Sequence, residues 1–101
     1  MNNKEAAKIK LMRKTILTSL NYMYPTGLQL ATLYRTVLAL DITYDEGLFQ
    51  KDVTYLREKG YVDFVDELIG GAGAWREKVA RLSPKGKEIA DRTQTDPALE
   101  I

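Results

Sequence analysis

The sequence predicts one α+β domain that is mainly helical, with three helices followed by a β-hairpin and a fourth helix. Three observations lead to this fold class. Apolar residues recur at three- and four-residue intervals over much of residues 4–59, as they do on one face of a helix. After Gly60 the pattern changes to alternation, which is typical of a strand. The pair Ser83-Pro84 then provides a helix start, with a capping hydroxyl and a proline suited to the first turn.

The first helix is predicted over residues 4–23, where a single apolar stripe recurs. The stripe consists of Ile9, Met12, Ile16, Leu20 and Met23. Pro25 and Gly27 end this helix, because proline lacks a backbone donor and glycine permits a turn. A weaker line on the far side of the helix consists of Leu11, Thr15, Thr18 and Tyr22. We interpret that line as a solvent-exposed face or as a surface for a partner subunit.

A very short strand at Leu28 and a second helix over residues 29–39 are predicted next. The second helix has Leu30, Leu33 or Tyr34, Val37 and Leu38 at helical spacing. Residues 41–44 contain β-branched side chains and no alanine, so they are predicted to form a connector rather than a further turn of helix.

The third helix is predicted over residues 46–59. Its inward apolar residues are Phe49, Val53 and Leu56. Asp45 is predicted to cap the helix, since a carboxylate there accepts hydrogen bonds from the unpaired amides of the first turn. Gly60 is predicted to end it, because glycine readily adopts the left-handed conformation that terminates many helices.

A β-hairpin is predicted after the third helix. Residues 61–66 alternate as a strand does, residues 69–74 are glycine-rich and suit a flexible turn, and residues 75–82 form the second strand. Trp75 is interpreted as the anchor of the hairpin on the core, since a hairpin this short needs an apolar contact to be stable.

The fourth helix begins at Ser83, with Ile89 and Ala90 packing inward. Residues 93–101 show no periodicity, and we expect this tail to be loosely ordered or used for contacts. The chain of 101 residues is therefore predicted to form a single domain with its core over about residues 4–92.

The composition excludes most catalytic and metal chemistry. The chain has no cysteine and no histidine, so it can form no disulfide, no thiolate zinc site and no nucleophile activated by a histidine base. Asp63, Asp66 and Glu67 are interpreted as solvated acids beside a turn rather than as a cation site. We expect a protein that is not an enzyme, with no catalytic residues, no metal and no cofactor.

The chain also lacks the sequence features of a membrane protein. Its longest apolar runs are too short to cross a bilayer, and no apolar segment of a signal peptide follows the basic first stretch. We expect a soluble protein of the cytoplasm that does not bind a membrane. We infer no small-molecule substrate.

The net charge of +1 conceals an uneven distribution. Residues 1–40 carry +5, residues 41–67 carry −5 and residues 68–101 carry +1. This distribution bears on function, because a surface that meets a phosphate backbone should be basic.

Two motifs, one hairpin apart, resemble those of winged helix-turn-helix domains. The first is FQKDVTYLREKGYVDFV (residues 49–65), which resembles the end of a recognition helix, and the second is ARLSPKGKEIAD (residues 80–91), which resembles the passage from the wing into the last helix. The matching residues are Leu56, Gly60, Tyr61, Val62, Leu82, Ser83 and Gly86. The resemblance covers residues 4–92 and implies a three-helix core, a β-hairpin wing and a C-terminal helix.

More narrowly, the chain resembles a family of small winged-helix proteins encoded in Mu-like prophages. The residues that match this family are Asp52, Leu56, Gly60, Val62 and Pro97. The resemblance implies a DNA-binding regulator in a bacterial host cell, without an established reaction.

Candidate DNA contacts follow from the third helix, whose face opposite the core can enter a major groove. The outward residues are Gly47, Gln50, Lys51, Thr54 and Glu58, flanked by Tyr55 and Arg57. Gln50 can pair with adenine, Thr54 can contact a thymine methyl, and Lys51 can reach a guanine or a phosphate. Each of these is also an ordinary exposed side chain on a soluble helix, and Glu58 would be repelled by phosphate.

Further basic residues lie on the wing and on the first helix. Arg76 and Lys78 are predicted on one side of the second wing strand and Arg81 on the other. The first-helix cluster consists of Lys4, Lys8, Lys10, Arg13 and Lys14. This cluster can hold phosphates, dock the acidic third-helix region of a partner subunit, or be a solvated face.

The leading hypothesis is therefore a sequence-specific binder of double-stranded DNA, a homodimeric transcriptional regulator of a phage or prophage. The alternative is a winged-helix protein-interaction module that uses an acidic third-helix surface and does not bind DNA.

Overall fold

The structure, a computed structural model, describes residues 3–41, 43–65 and 75–92 of the chain. These residues form an α+β fold that is mainly helical. Its α-helices are α1 (Asn3–Tyr22), α2 (Leu30–Leu38), α3 (Glu46–Glu58) and α4 (Pro84–Ala90). Its strands are β1 (Leu28–Gln29), β2 (Val62–Phe64) and β3 (Val79–Leu82), with a short 3₁₀ helix at Trp75–Glu77 before β3. The first three helices and the strand at Leu28 confirm the predicted elements to within one residue at each end.

The three strands form one antiparallel sheet in the order β1-β3-β2. Ala80 in the middle of β3 lies opposite Leu28 on one side and Phe64 on the other. The backbone amide of Leu30 donates to the carbonyl of Lys78 at 2.8 Å, so the start of α2 is joined directly to the residue before β3. The sheet thus holds the chain segment after α3 against the segment that leads into α2.

The core lies between the helices and one face of the sheet, and it contains most of the predicted apolar stripes. Its fully buried members include Met12, Ile16, Leu20, Leu30, Leu33, Val37, Phe49, Val53, Leu56 and Leu82. Trp75 packs edge-on against Phe49, with ring centroids 5.6 Å apart, which confirms its predicted role as an anchor. Leu17 is also buried, although the predicted stripe omitted it.

Two predicted helix starts are confirmed by their capping hydrogen bonds. The Asp45 side chain accepts from the Leu48 amide at 2.8 Å, and the Ser83 hydroxyl accepts from the Gly86 amide at 3.0 Å. The Ser83 hydroxyl in turn donates to the Gly60 carbonyl, so the start of α4 is tied to the end of α3.

Gly60 has a φ of 81°, in the left-handed region that favours glycine. An added Cβ would meet nothing closer than the Lys85 Cδ at 3.9 Å, so a side chain fits and only the backbone conformation is unfavourable. We expect Gly60→Ala to lower the free energy of unfolding by about 1 kcal/mol. Gly60→Asn should lose less, because asparagine tolerates this conformation better. Urea denaturation followed by circular dichroism measures both, and equal stability of Gly60→Ala and the parent chain would contradict the assignment.

The prediction of a continuous strand over residues 75–82 is wrong in its first part. Residues Trp75–Glu77 form a 3₁₀ helix, and the strand begins only at Val79. The Lys78 amide donates to the Trp75 carbonyl at 3.1 Å, which closes this turn and directs the indole onto Phe49. Arg76 and Lys78 therefore do not lie on one side of a strand.

Other expectations are corrected or lie outside the described residues. Met23, predicted to face inward, is 40% exposed because α1 ends at Tyr22. Tyr22 and Leu11, on the far side of α1, are also exposed. No helix among the described residues is long and apolar enough to cross a membrane. The glycine-rich tip at residues 69–74 and the tail at residues 93–101 lie outside the described residues.

Candidate nucleic-acid interface

The predicted outward face of α3 is exposed to solvent. Gly47, Gln50, Lys51, Thr54 and Glu58 are all exposed, whereas Phe49, Val53 and Leu56 on the other side are buried. We call the five exposed residues the α3 face. The N-terminal half of α1 runs along one flank of this face, and β2 with the segment before β3 lies along the other. An amide, a hydroxyl and an ammonium group are thus presented together on one exposed helix surface.

Two of the three acids on α3 are held away from this face by arginines. Glu46 accepts hydrogen bonds from Arg76 Nε at 2.6 Å and from Arg76 Nη2 at 2.5 Å. These hydrogen bonds lower the pKa of Glu46. Asp52 is only 5% exposed and accepts a hydrogen bond from Arg13 Nε at 3.0 Å. Glu58 is the acid of α3 that remains on the α3 face.

Asp52 is the centre of a buried polar network that joins α1, the connector and α3. Its second carboxylate oxygen accepts a short hydrogen bond from the Tyr44 hydroxyl. Burial, and secondarily this bond to Asp52, raises the pKa of Tyr44. The Arg13 guanidinium also lies 3.6 Å from the centroid of the Tyr55 ring, a cation–π contact. Tyr55, predicted as a DNA contact, is therefore half-buried beneath Arg13.

The role of Asp52 was missed from sequence, although a signal was present. Asp52 lies three residues after Phe49 and four before Leu56, so it falls on the buried side of α3. An acid at such a position requires a partner, because an unpaired buried charge is strongly destabilising. The partner, Arg13, belongs to a helix that is distant in sequence.

The basic residues of α1 do not form one patch. Lys8 contacts Asp41 at 2.7 Å and Thr43 Oγ1 at 3.2 Å, and the hydrogen bonds from Lys8 and Thr43 lower the pKa of Asp41 to about 2. Arg13 is turned inward to Asp52. The remaining lysines occupy two rows of the helix, Lys4 in the row of Lys8, and Lys10 with Lys14 in another. Part of the +5 segment thus neutralises part of the −5 segment within the same chain.

A groove of about 420 Å³ lies between the C-terminal half of α3 and the sheet. The residues that line it are Thr54, Arg57, Glu58, Phe64, Trp75 and Lys78, and we call it the wing-side groove. The Arg57 guanidinium lies 4.4 Å from the centroid of the Phe64 ring, and Lys78 Nζ lies 5.8 Å from it. The structure therefore brings Arg57 and Lys78 together, whereas Arg76 is bound to Glu46 at the other end of α3.

The chain matches no protein-family model, no curated protein and no solved structure. Among residues 3–41, 43–65 and 75–92, no three acidic, histidine or cysteine side chains are grouped so that they could hold a metal ion.

Proposed function

We propose that this chain is a winged-helix protein that binds double-stranded DNA and reads the major groove with α3. The order of its elements, with three helices before the β2–β3 pair and a last helix after it, supports a winged-helix fold. The resemblance to prophage-encoded proteins extends the proposal to a homodimeric transcriptional regulator in the cytoplasm of a bacterial host.

The observation that carries this proposal is that two of the three acids of α3 are paired with arginines away from its exposed face. Glu46 and Asp52 are held in ion pairs with Arg76 and Arg13, and Asp45 caps the helix. The acidic character of residues 41–67, which argues against a nucleic-acid partner, is thereby reduced where DNA would lie. Lys51 is the exposed cation of this face.

The proposed roles of the contact residues follow from their positions. Gln50 can bond both the N6 and N7 edges of adenine, Thr54 can contact a thymine methyl, and Lys51 can reach guanine or phosphate. Arg57 and Lys78 lie on the flank of the α3 face, where they can contact the phosphate backbone and set the register of the helix in the groove.

The alternative, a protein-interaction module with an acidic third-helix surface, has less support. Such a surface needs exposed carboxylates on α3. Glu46 is bound to Arg76 through both oxygens and Asp52 is buried, which leaves Glu58.

We expect Lys51→Glu to weaken binding to duplex DNA by at least about tenfold, because it removes a contact to guanine or phosphate and adds a repulsive charge. Glu58→Gln should bind as well as the parent chain or a few-fold more tightly, since it removes a repulsive charge from the same face. Fluorescence anisotropy with a labelled duplex measures both affinities.

Lys59→Glu is a matched control, because it makes the same change of charge at an exposed residue just beyond α3 and off the α3 face. It should weaken binding less than Lys51→Glu does. If Lys51→Glu binds normally while Glu58→Gln binds weakly, the α3 face is not the surface that meets DNA.

A further inference from the structure

The side of α1 that faces away from the core carries a line of uncharged side chains, to which the proposed DNA contacts assign no role. We call this line the α1 stripe, and it consists of Leu11, Thr15, Thr18 and Tyr22. Leu11 is 49% exposed and Tyr22 is 86% exposed, whereas Met12, Ile16 and Leu20 on the opposite side of the helix are buried. Two large side chains thus lie in solvent on one line of α1.

The surface around the C-terminal part of the α1 stripe has no charge. Residues 15–34 contain no acidic or basic side chain, although 29% of the chain is charged. Met23, at the end of the helix, is exposed together with Tyr22. The centres of protein–protein interfaces are depleted in charge and enriched in tyrosine and methionine. This surface offers no cation to a phosphate backbone, so its composition indicates a protein partner.

The hydroxyl groups in the middle of α1 permit close contact with another helix. The Thr15 hydroxyl donates to the Leu11 carbonyl at 2.8 Å, and the Ser19 hydroxyl donates to the Thr15 carbonyl at 2.8 Å. Because both donors are satisfied within α1, their burial in an interface leaves neither without an acceptor. Small side chains at this point also suit the distance of about 8–10 Å that separates the axes of packed helices.

The α1 stripe is complementary to itself when a second copy lies antiparallel to it. Its residues are four, three and four positions apart, and this order is the same in both directions. In an antiparallel pair, Leu11 of each copy meets Tyr22 of the other, and Thr15 of each copy meets Thr18 of the other. A two-fold interface requires a patch that matches itself in this way.

The charges beside the α1 stripe are also complementary in this arrangement. Lys14 and Asn21 are seven residues apart and so share one flank of the helix. Asn21 Nδ2 donates to Asp91 Oδ1 at 2.9 Å, and the Asp91 side chain is 38% exposed although it also pairs with Lys87. Antiparallel pairing places Lys14 within about 3 Å, along the axis, of Asn21 in the second copy, whereas parallel pairing separates them by about 10 Å. Only the antiparallel pair therefore brings Lys14 near an Asp91 carboxylate.

We propose that two copies of this chain pair through their α1 stripes, as antiparallel helices about a two-fold axis between Thr15 and Thr18. The inference rests on the homodimer of the proposed function and names the surface that forms it. No residue of the α1 stripe belongs to the α3 face. The stripe spans about 16 Å of helix, so the interface is small and we expect a dissociation constant on the order of 10 µM.

Sedimentation equilibrium without DNA, at protein concentrations on either side of this value, measures the dimer. Leu11→Glu should weaken dimerisation at least about tenfold, because it places a charge against Tyr22 of the second copy. Tyr22→Ala should weaken it about tenfold, since it removes the largest side chain of the stripe. Leu40→Glu is the matched control, because Leu40 has a similar exposure of 56% and lies outside α1, and this variant should dimerise as the parent chain does.

Disulfide cross-linking tests the orientation of the two helices, and the chain has no cysteine of its own to interfere. A mixture of the Leu11→Cys and Tyr22→Cys variants should form a linked dimer under mild oxidation. Leu11→Cys alone should form far less, because the two positions lie about 16 Å apart along the axis of an antiparallel pair. A disulfide requires Cα atoms within about 7 Å of each other.

Three results would overturn the inference: a chain that is monomeric at every concentration, a dimer that Leu11→Glu leaves unchanged, or cross-linking of Leu11→Cys alone without cross-linking of the mixture. Duplex binding is measured separately on the parent chain and on Leu11→Glu, whose α3 face is intact. A dimeric chain that binds no duplex would contradict the proposed DNA binding but not the pairing of α1. A monomeric chain that binds duplex would contradict the pairing but not the DNA binding.

Discussion

Replacement of Asp52 with alanine is expected to lower the free energy of unfolding by about 3 kcal/mol. The carboxylate is buried and accepts from both Arg13 and the Tyr44 hydroxyl. Its removal leaves a largely buried guanidinium and a buried hydroxyl without their acceptor, and each unsatisfied group has a desolvation cost. The expected loss of stability is at the low end for a broken buried ion pair, because the Arg13 side chain is 21% exposed.

Urea denaturation followed by circular dichroism measures this loss. Asp52→Asn should be intermediate, since an amide oxygen can still accept one of the two hydrogen bonds but the ion pair is lost. Glu58→Ala on the same helix is a matched control and should change stability by no more than about 0.5 kcal/mol. If Asp52→Ala were as stable as this control, the network would not be what joins α1 to α3.

Replacement of Gly86 with alanine is expected to destabilise the fold by about 3 kcal/mol, at the upper end of overpacking effects. An added Cβ would lie 2.0 Å from the Tyr61 carbonyl oxygen and 2.9 Å from its carbon. Both atoms belong to the backbone, so rotation of a side chain cannot relieve the collision. The first turn of α4 would have to move away from Tyr61, whose carbonyl also accepts from the Ser83 amide at 3.0 Å. The loss exceeds the gain of about 1 kcal/mol that alanine brings to a helix.

Gly47→Ala provides the comparison. The closest atom to its added Cβ is the Asp45 Oδ1 at 3.2 Å, which belongs to a side chain and can shift slightly. We expect a change of no more than about 1 kcal/mol in either direction. Equal effects of the two substitutions in urea denaturation would show that α4 does not pack against Tyr61 as closely as described.

The elements that follow from local rules could be predicted from the sequence. The helical spacing of Phe49, Val53 and Leu56 indicates the buried side of α3. The exposed face is the opposite side of the same helix. The caps at Asp45 and Ser83 are equally local, because the side chain and the amide it binds are three residues apart. The exposure of the α3 face could therefore be predicted for the same reason as the helix itself.

The elements that depend on distant partners could not be predicted. Arg76 lies in a 3₁₀ turn rather than in the expected strand, and its carboxylate partner, Glu46, is 30 residues away in the sequence. Arg13 and Asp52 are 39 residues apart, so no local pattern reveals that they neutralise each other. The net charge of −5 over residues 41–67 follows from the sequence. Which of these acids lie on the α3 face depends on the fold.

The central claim, that this chain binds double-stranded DNA through phosphates and base edges, is tested most directly by the salt dependence of its affinity for duplex DNA. Binding should be measurable at about 50 mM salt and should weaken about 100-fold by about 200 mM, as expected for about four phosphate contacts. Absence of binding at the lower salt concentration, or an affinity independent of salt, would contradict the account.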